Sequence, residues 1–133
     1  MPPASSVLPS STRGVQWLGD LYGCQSSALY ADVATLQQAC LQLVAASGLT
    51  IVGERFYQFE PVGVTGVVLL AESHLAIHTW PERGFVSIDL YVCHFSQDNQ
   101  SKGEQLLAKL ISYFHSTQPQ IQRISRGMIP ESV

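Results

Sequence analysis

This chain of 133 residues has no basic stripe, no long apolar run and no paired cysteine motif. Its seven Lys and Arg are scattered among ten Asp and Glu, for a net charge of −3. Nothing there covers a line of phosphates, which excludes a nucleic-acid partner. The longest largely apolar stretch, residues 64–71 (VTGVVLLA), is far too short to span a membrane. Residues 1–13 (MPPASSVLPSSTR) are rich in Pro and Ser and lack the apolar run of a secretory signal. They read as a disordered tail on a cytoplasmic protein, with a Ser-rich, acid-free transit peptide as the alternative. Cys24, Cys40 and Cys93 form no CxxC pair and cannot all be bonded to one another, which fits a reducing compartment.

What is present is core. A hydrophobic fraction of 46% against 13% charged describes one globular domain, residues 14–133, with no internal repeat. Residues 15–22 (VQWLGDLY) read as a strand. A helix is expected over 28–47, with Leu29, Val33, Leu36, Cys40, Leu43 and Val44 on one face, Ser27 as N-cap and Gly48 in the left-handed position beyond its end. Extended segments follow at 50–59, 63–71, 74–81 and 85–93. A second helix is expected over 102–115, opened by the capping box Ser101-Lys-Gly-Glu104 and turning Leu106, Leu107, Leu110, Ile111 and Phe114 inward. Residues 121–126 complete the pattern as a last strand. Consecutive strands with helices set apart predict an α+β, two-layer sandwich: an antiparallel sheet with two helices on one face. The other face is left for solvent or a second protomer.

That bare face carries the chemistry. Side chains alternate along a strand, so His74, Ala76, His78, Trp80 and Glu82 share one side while Leu75 and Ile77 take the other. In the next strand Ser87, Asp89, Tyr91 and Cys93 oppose Val86, Ile88, Leu90 and Val92. A two-residue hairpin loop at Arg83-Gly84 would pair Glu82 with Phe85, His78 with Asp89 and His74 with Cys93. A slip of one residue would put the two apolar faces on opposite sides. Cys93 then arrives beside Ser73. Singly, each residue has a plain reading: Cys93 as a small buried group, each His as a hydrogen-bonded structural residue, Ser73 as turn chemistry. His74 and His78 lie about 13 Å apart on a strand, too far to share a metal ion, whereas His74, Cys93 and His94 leave a metal grouping open.

The combined pattern is more specific than its parts. Gly63-Val-Thr-Gly-Val-Val68, Glu72-Ser-His-Leu-Ala-Ile-His-Thr-Trp-Pro-Glu82 and Val86-Ser-Ile-Asp-Leu-Tyr-Val-Cys93 resemble the bacterial and archaeal S-adenosylmethionine decarboxylases, and the match extends more weakly from about residue 14 to 127. The resemblance implies a proenzyme that cuts itself between Glu72 and Ser73 into chains 1–72 and 73–133. The Ser73 hydroxyl attacks the preceding carbonyl, and β-elimination from the resulting ester leaves a pyruvoyl cap on residue 73. It assigns proton handling in this processing to His78 and support of the oxyoxazolidine intermediate to Thr65, a position where the family more often has Ser.

Decarboxylation needs an electron sink, which a Schiff base between substrate amine and pyruvoyl ketone supplies. By the same resemblance Cys93 reprotonates Cα, and a thiol mostly protonated near neutrality suits that role. Phe59 and Trp80 correspond to the aromatic residues beside the adenosyl group, and Glu82 to the acid that holds its ribose hydroxyls. The implied function is adenosylmethionine decarboxylation for spermidine synthesis, by a homodimer with shared active sites. The family's frequent Gly-Arg-His-Leu is Gly14-Val-Gln-Trp17 here, which keeps two alternatives in view. One is arginine or ornithine as substrate; the other is an inactive regulatory homologue.

Overall fold

Alternation along the strands sets the architecture. The computed structural model describes residues 10–94 and 99–130. Strands β1 (Ser10–Cys24), β2 (Ile51–Gln58), β3 (Val64–Leu70), β4 (Ser73–Trp80), β5 (Phe85–Cys93) and β6 (Ser116–Pro130) form one antiparallel sheet in the order β2-β3-β4-β5-β1-β6. Helices α1 (Val33–Ala46) and α2 (Gln100–Phe114) cover one face. This is the expected α+β sandwich. Among the described residues no helix is long and apolar enough to cross a membrane.

One parity of each central strand feeds the core. Val15, Trp17 and Leu21, then Leu75 and Ile77, then Val86, Ile88, Leu90 and Val92 pack under Leu36, Cys40 and Val44 of α1 and Leu106, Leu110 and Phe114 of α2. Each buried aliphatic contributes about 1.5–3 kcal/mol relative to exposure. Burial also pushes the Cys40 thiol up to about 12, which keeps it a neutral packing group.

The differences from expectation are local and have causes. The first helix breaks in two, with a cap at each start and Ser27 at neither. A 3-10 turn (Ser27–Tyr30) capped by Ser26 comes first, then α1 starts with the Asp32 carboxylate accepting the Thr35 N–H. Gly48 has the left-handed φ of 86° expected beyond the helix end. At α2 the capping box does not form, since the helix starts at Gln100 and puts Ser101 inside its first turn. The last strand is longer than 121–126 because it follows β1 along its whole length. Of the stretch read as a disordered tail, Ser10–Thr12 pair with Met128–Pro130, and residues 1–9 lie outside the described residues.

The hairpin joining β4 to β5 corrects the expected register. Trp80, not Glu82, pairs with Phe85, because Pro81 opens a 3-10 turn (Pro81–Arg83) that Gly84 closes at φ 62°. The shift is by two residues, so both apolar faces stay inward. His78 therefore lies opposite Ser87 instead of Asp89, and His74 opposite Tyr91 instead of Cys93.

Gly103 marks the closest approach of helix to sheet. A Cβ there would sit 2.5 and 2.8 Å from two ring carbons of Trp17, itself 3% exposed. Gly→Ala inside a helix ordinarily stabilises by about 1 kcal/mol. Here the overlap with a rigid ring reverses the sign, and Gly103→Ala is expected to destabilise by about 1–3 kcal/mol. A urea titration checks it: the midpoint should fall.

Candidate active site

The β3–β4 hairpin builds the first half of the site. Ser73 already belongs to the ladder, paired with Leu70, so the two-residue turn is Ala71-Glu72. Thr65 is consequently opposite His78, not opposite Trp80 as a turn at Glu72-Ser73 would have it. Their side chains meet, with Thr65 Oγ1 3.0 Å from His78 Nδ1. Both line a cleft of about 500 Å³ that also holds Phe59, Gly63, Trp80 and Glu82. The segment after β2 closes back through the Phe59 N–H on the Gly63 carbonyl, 2.7 Å. The 3-10 turn that carries Glu82 is tied by the Tyr30 hydroxyl, which donates to the Pro81 carbonyl at 3.2 Å. Two half-exposed aromatic rings, a carboxylate and a His–Thr pair thus face one space.

The second half lies at the other end of β4. The Cys93 N–H donates to the Glu72 carbonyl at 2.6 Å, and the Thr50 N–H to the Glu72 carboxylate at 3.0 Å. Ser73 has φ 147°, a region other residues leave almost wholly to glycine. Its Oγ is 3.4 Å from His74 Nδ1. Cys93 is half-buried, and its carbonyl accepts from the buried Asn99 amide at 2.7 Å. Its side chain is hydrogen-bonded to Tyr91, which with burial raises the phenol above its ordinary pKa.

Ser73, Glu72 and Cys93 are therefore together, as are Thr65, His78, Phe59, Trp80 and Glu82. The two groups are apart. Five residues of strand separate Ser73 from His78, about 16 Å at ~3.3 Å per residue. Among the described residues no three His, Cys, Asp or Glu side chains group to hold a metal ion.

Residues 15–127 match the family model described as S-adenosylmethionine decarboxylase. The chain belongs to that family. Its relatives include an S-adenosylmethionine decarboxylase proenzyme of Symbiobacterium thermophilum, 48% identical over 59% of this chain and 60% of that protein. A second, from Aquifex aeolicus, is 35% identical over 92% of this chain and 87% of that one. The crystal structure of the adenosylmethionine decarboxylase from Aquifex aeolicus superposes with a TM-score of 0.80 at 35% identity, covering 91% of this chain and 96% of that chain. These relatives are carboxy-lyases, and the chain is an enzyme of that class.

Gly14-Val-Gln-Trp17, where the sequence resemblance leads one to expect Gly-Arg-His-Leu, resolves into two effects. Val15 and Trp17 are core residues beneath the helices. Gln16 is on the bare face, where its Nε2 donates to Asp89 at 2.7 Å and its Oε1 accepts from Arg126 at 3.0 Å. Arg126 also lies over the Tyr91 ring, 5.0 Å from its centroid. Sequence reasoning missed Gln16, Arg126 and Asn99. The Gln16–Arg126 contact joins residues 110 apart, and only the β1–β6 pairing reveals it.

Proposed function

We propose that this decarboxylase acts on S-adenosylmethionine, through a pyruvoyl group that the chain makes from its own Ser73, and so supplies aminopropyl groups for spermidine synthesis. The observation that carries the reading is the Glu72 carbonyl held by the Cys93 N–H with the Ser73 hydroxyl on the next residue. A backbone N–H on the carbonyl under attack stabilises the oxyanion as it forms. Attack by Oγ gives an oxyoxazolidine and then an ester. Removal of the Ser73 Cα proton breaks the Cβ–Oγ bond, releases the main-chain α-carboxylate of residue 72 and leaves dehydroalanine, and hydrolysis with loss of ammonia completes the new N-terminus at residue 73. His78, steadied by Thr65, takes the proton in the elimination.

Once formed, the pyruvoyl group supplies a sink for the electron pair left on Cα when carbon dioxide departs. Cys93, already against residue 72, returns a proton to that carbon. Phe59 and Trp80 offer aromatic faces that suit both a purine and a sulfonium. Glu82 offers a carboxylate to ribose hydroxyls. A second reading, a basic amino acid, draws on Asp20 and Asp89 in a neighbouring cleft of about 580 Å³. The aromatic pair favours the adenosyl substrate.

The distance between the two halves supports a two-fold dimer, with bare faces together and sites shared. Ser73 and Cys93 of one protomer then meet Thr65, His78 and Glu82 of the other.

Four outcomes are expected. Intact-mass analysis of the purified protein should find chains 1–72 and 73–133, while Ser73→Ala stays whole; a wild-type chain that never cuts overturns the reading. Cys93→Ala should cleave itself yet release carbon dioxide from adenosylmethionine about 100-fold or more slowly. With adenosylmethionine, arginine and ornithine assayed in parallel, release should be fastest from the first. For the shared site, co-expressed Ser73→Ala and His78→Ala chains should yield pyruvoyl-blocked chains starting at residue 73. Mixed dimers without any such chain would mean that each protomer processes itself.

A further inference from the structure

The same face holds a charged chain that the processing scheme above does not use. It crosses four strands: Arg126 of β6 donates to Gln16 of β1, Gln16 donates to Asp89 of β5, and the Asp89 carboxylate faces His74 of β4 at 3.6 Å from Nε2. The other ring nitrogen, Nδ1, faces the Ser73 hydroxyl at 3.4 Å. Adjacent residues of a regular strand point to opposite sides. The positive φ at Ser73 breaks that alternation and brings its hydroxyl within reach of the neighbouring imidazole.

We propose that His74, oriented by Asp89, is the general base that activates the Ser73 hydroxyl within the same chain. The proposal rests on self-cleavage and adds the step before the ester. A carboxylate at Nε2 favours the tautomer with the proton there and leaves the Nδ1 lone pair toward Oγ. His74 takes the hydroxyl proton as Oγ bonds to the Glu72 carbonyl carbon. The carbonyl electron pair moves to oxygen, against the Cys93 N–H. The C–N bond then breaks, and the imidazolium returns the proton to the departing Ser73 nitrogen. Atoms and charge balance without any co-reactant. Asp89 steadies the transient imidazolium, as the acid of a Ser-His-Asp triad does.

The contacts are longer than settled hydrogen bonds, as catalytic contacts are before the reacting geometry tightens. The arrangement is fixed from several sides. The His74 ring is held against Tyr91, centroids 5.9 Å apart, and Tyr91 in turn lies under Arg126. Arg126 fixes the Gln16 amide so that its NH₂ is toward Asp89. Asp89 is thus a positioning residue, while His74 touches the reacting atom. The scheme separates two histidines: His74 opens the peptide bond in cis, and His78 serves the later elimination.

The test follows cleavage by intact mass with and without hydroxylamine, which cuts an ester but not an amide. His74→Ala should slow cleavage by about 10²–10⁴-fold and accumulate no hydroxylamine-sensitive species. His78→Ala should accumulate that ester. Asp89→Asn should slow cleavage about tenfold or more, also without ester. His74→Gly should regain speed when imidazole is added, a response that a merely structural role does not give. A His74→Ala chain that cuts within twofold of wild type overturns the proposal, as does ester accumulation in it or failure of imidazole to rescue His74→Gly. If the wild type itself never cuts, self-processing falls first; if it cuts and the His74 variants keep pace, only the role of His74 falls.

Discussion

A sheet has two faces, and two helices cover only one of them. The buried apolar residues of the central strands consequently share one parity, and the other parity is free to carry chemistry. Leu75 and Ile77 hold β4 against the helices, while His74 and His78 stand on its opposite side. The packing that stabilises the fold is the same packing that orients the site. A one-residue slip of β4 would bury both histidines and expose the core, so register and function are enforced by a single energy term.

That constraint also explains which parts were legible in the sequence. Alternation located all six strands and helical spacing located both helices, the first of them without its break at Asp32, and the bare face was readable from Glu72-Ser-His-Leu-Ala-Ile-His-Thr-Trp-Pro-Glu82 alone. The turns were less legible, because turn chemistry competes locally. Arg83-Gly84 looks like a hairpin loop, yet Pro81 starts a 3-10 turn earlier and moves the register by two residues. Parity survives an even shift, which is why the faces were right while the individual pairs were wrong. The Asp89 partner illustrates it: the tighter hairpin would pair it with His78, whereas the observed one pairs it with Ala76 and brings His74 diagonally to 3.6 Å from its carboxylate.

Long-range side-chain contacts were not legible at all. Gln16, Asp89 and Arg126 are joined only because β1 lies between β5 and β6, an order that places the first strand inside the sheet and the last at its edge. No spacing in the sequence encodes that order. Asn99 is another such case, since its buried amide serves the Cys93 carbonyl instead of the helix cap that its position suggests. Two such departures from local rules, at Ser73 and at Asn99, are next to residues 72 and 93. Sequences are expected to break local rules at functional sites, where another requirement outweighs propensity.

The backbone at Ser73 is the clearest example of such a requirement. A non-glycine residue at φ 147° costs on the order of 1–3 kcal/mol and persists only where neighbours over-determine it. Here they do. The Glu72 carbonyl is held by the Cys93 N–H, the Glu72 carboxylate by the Thr50 N–H, and the Ala71 N–H by the Thr50 carbonyl. Ser73 itself is paired on both sides, with Leu70 and with Val92. None of these restraints needs the Glu72–Ser73 peptide bond to remain intact, because the flanking strands are held independently by the ladder and the core. Cutting the bond would relieve the strained φ and leave the sheet in place. A turn built this way suits the self-cleavage proposed above, because the Cys93 N–H already holds residue 72 where the bond would be cut.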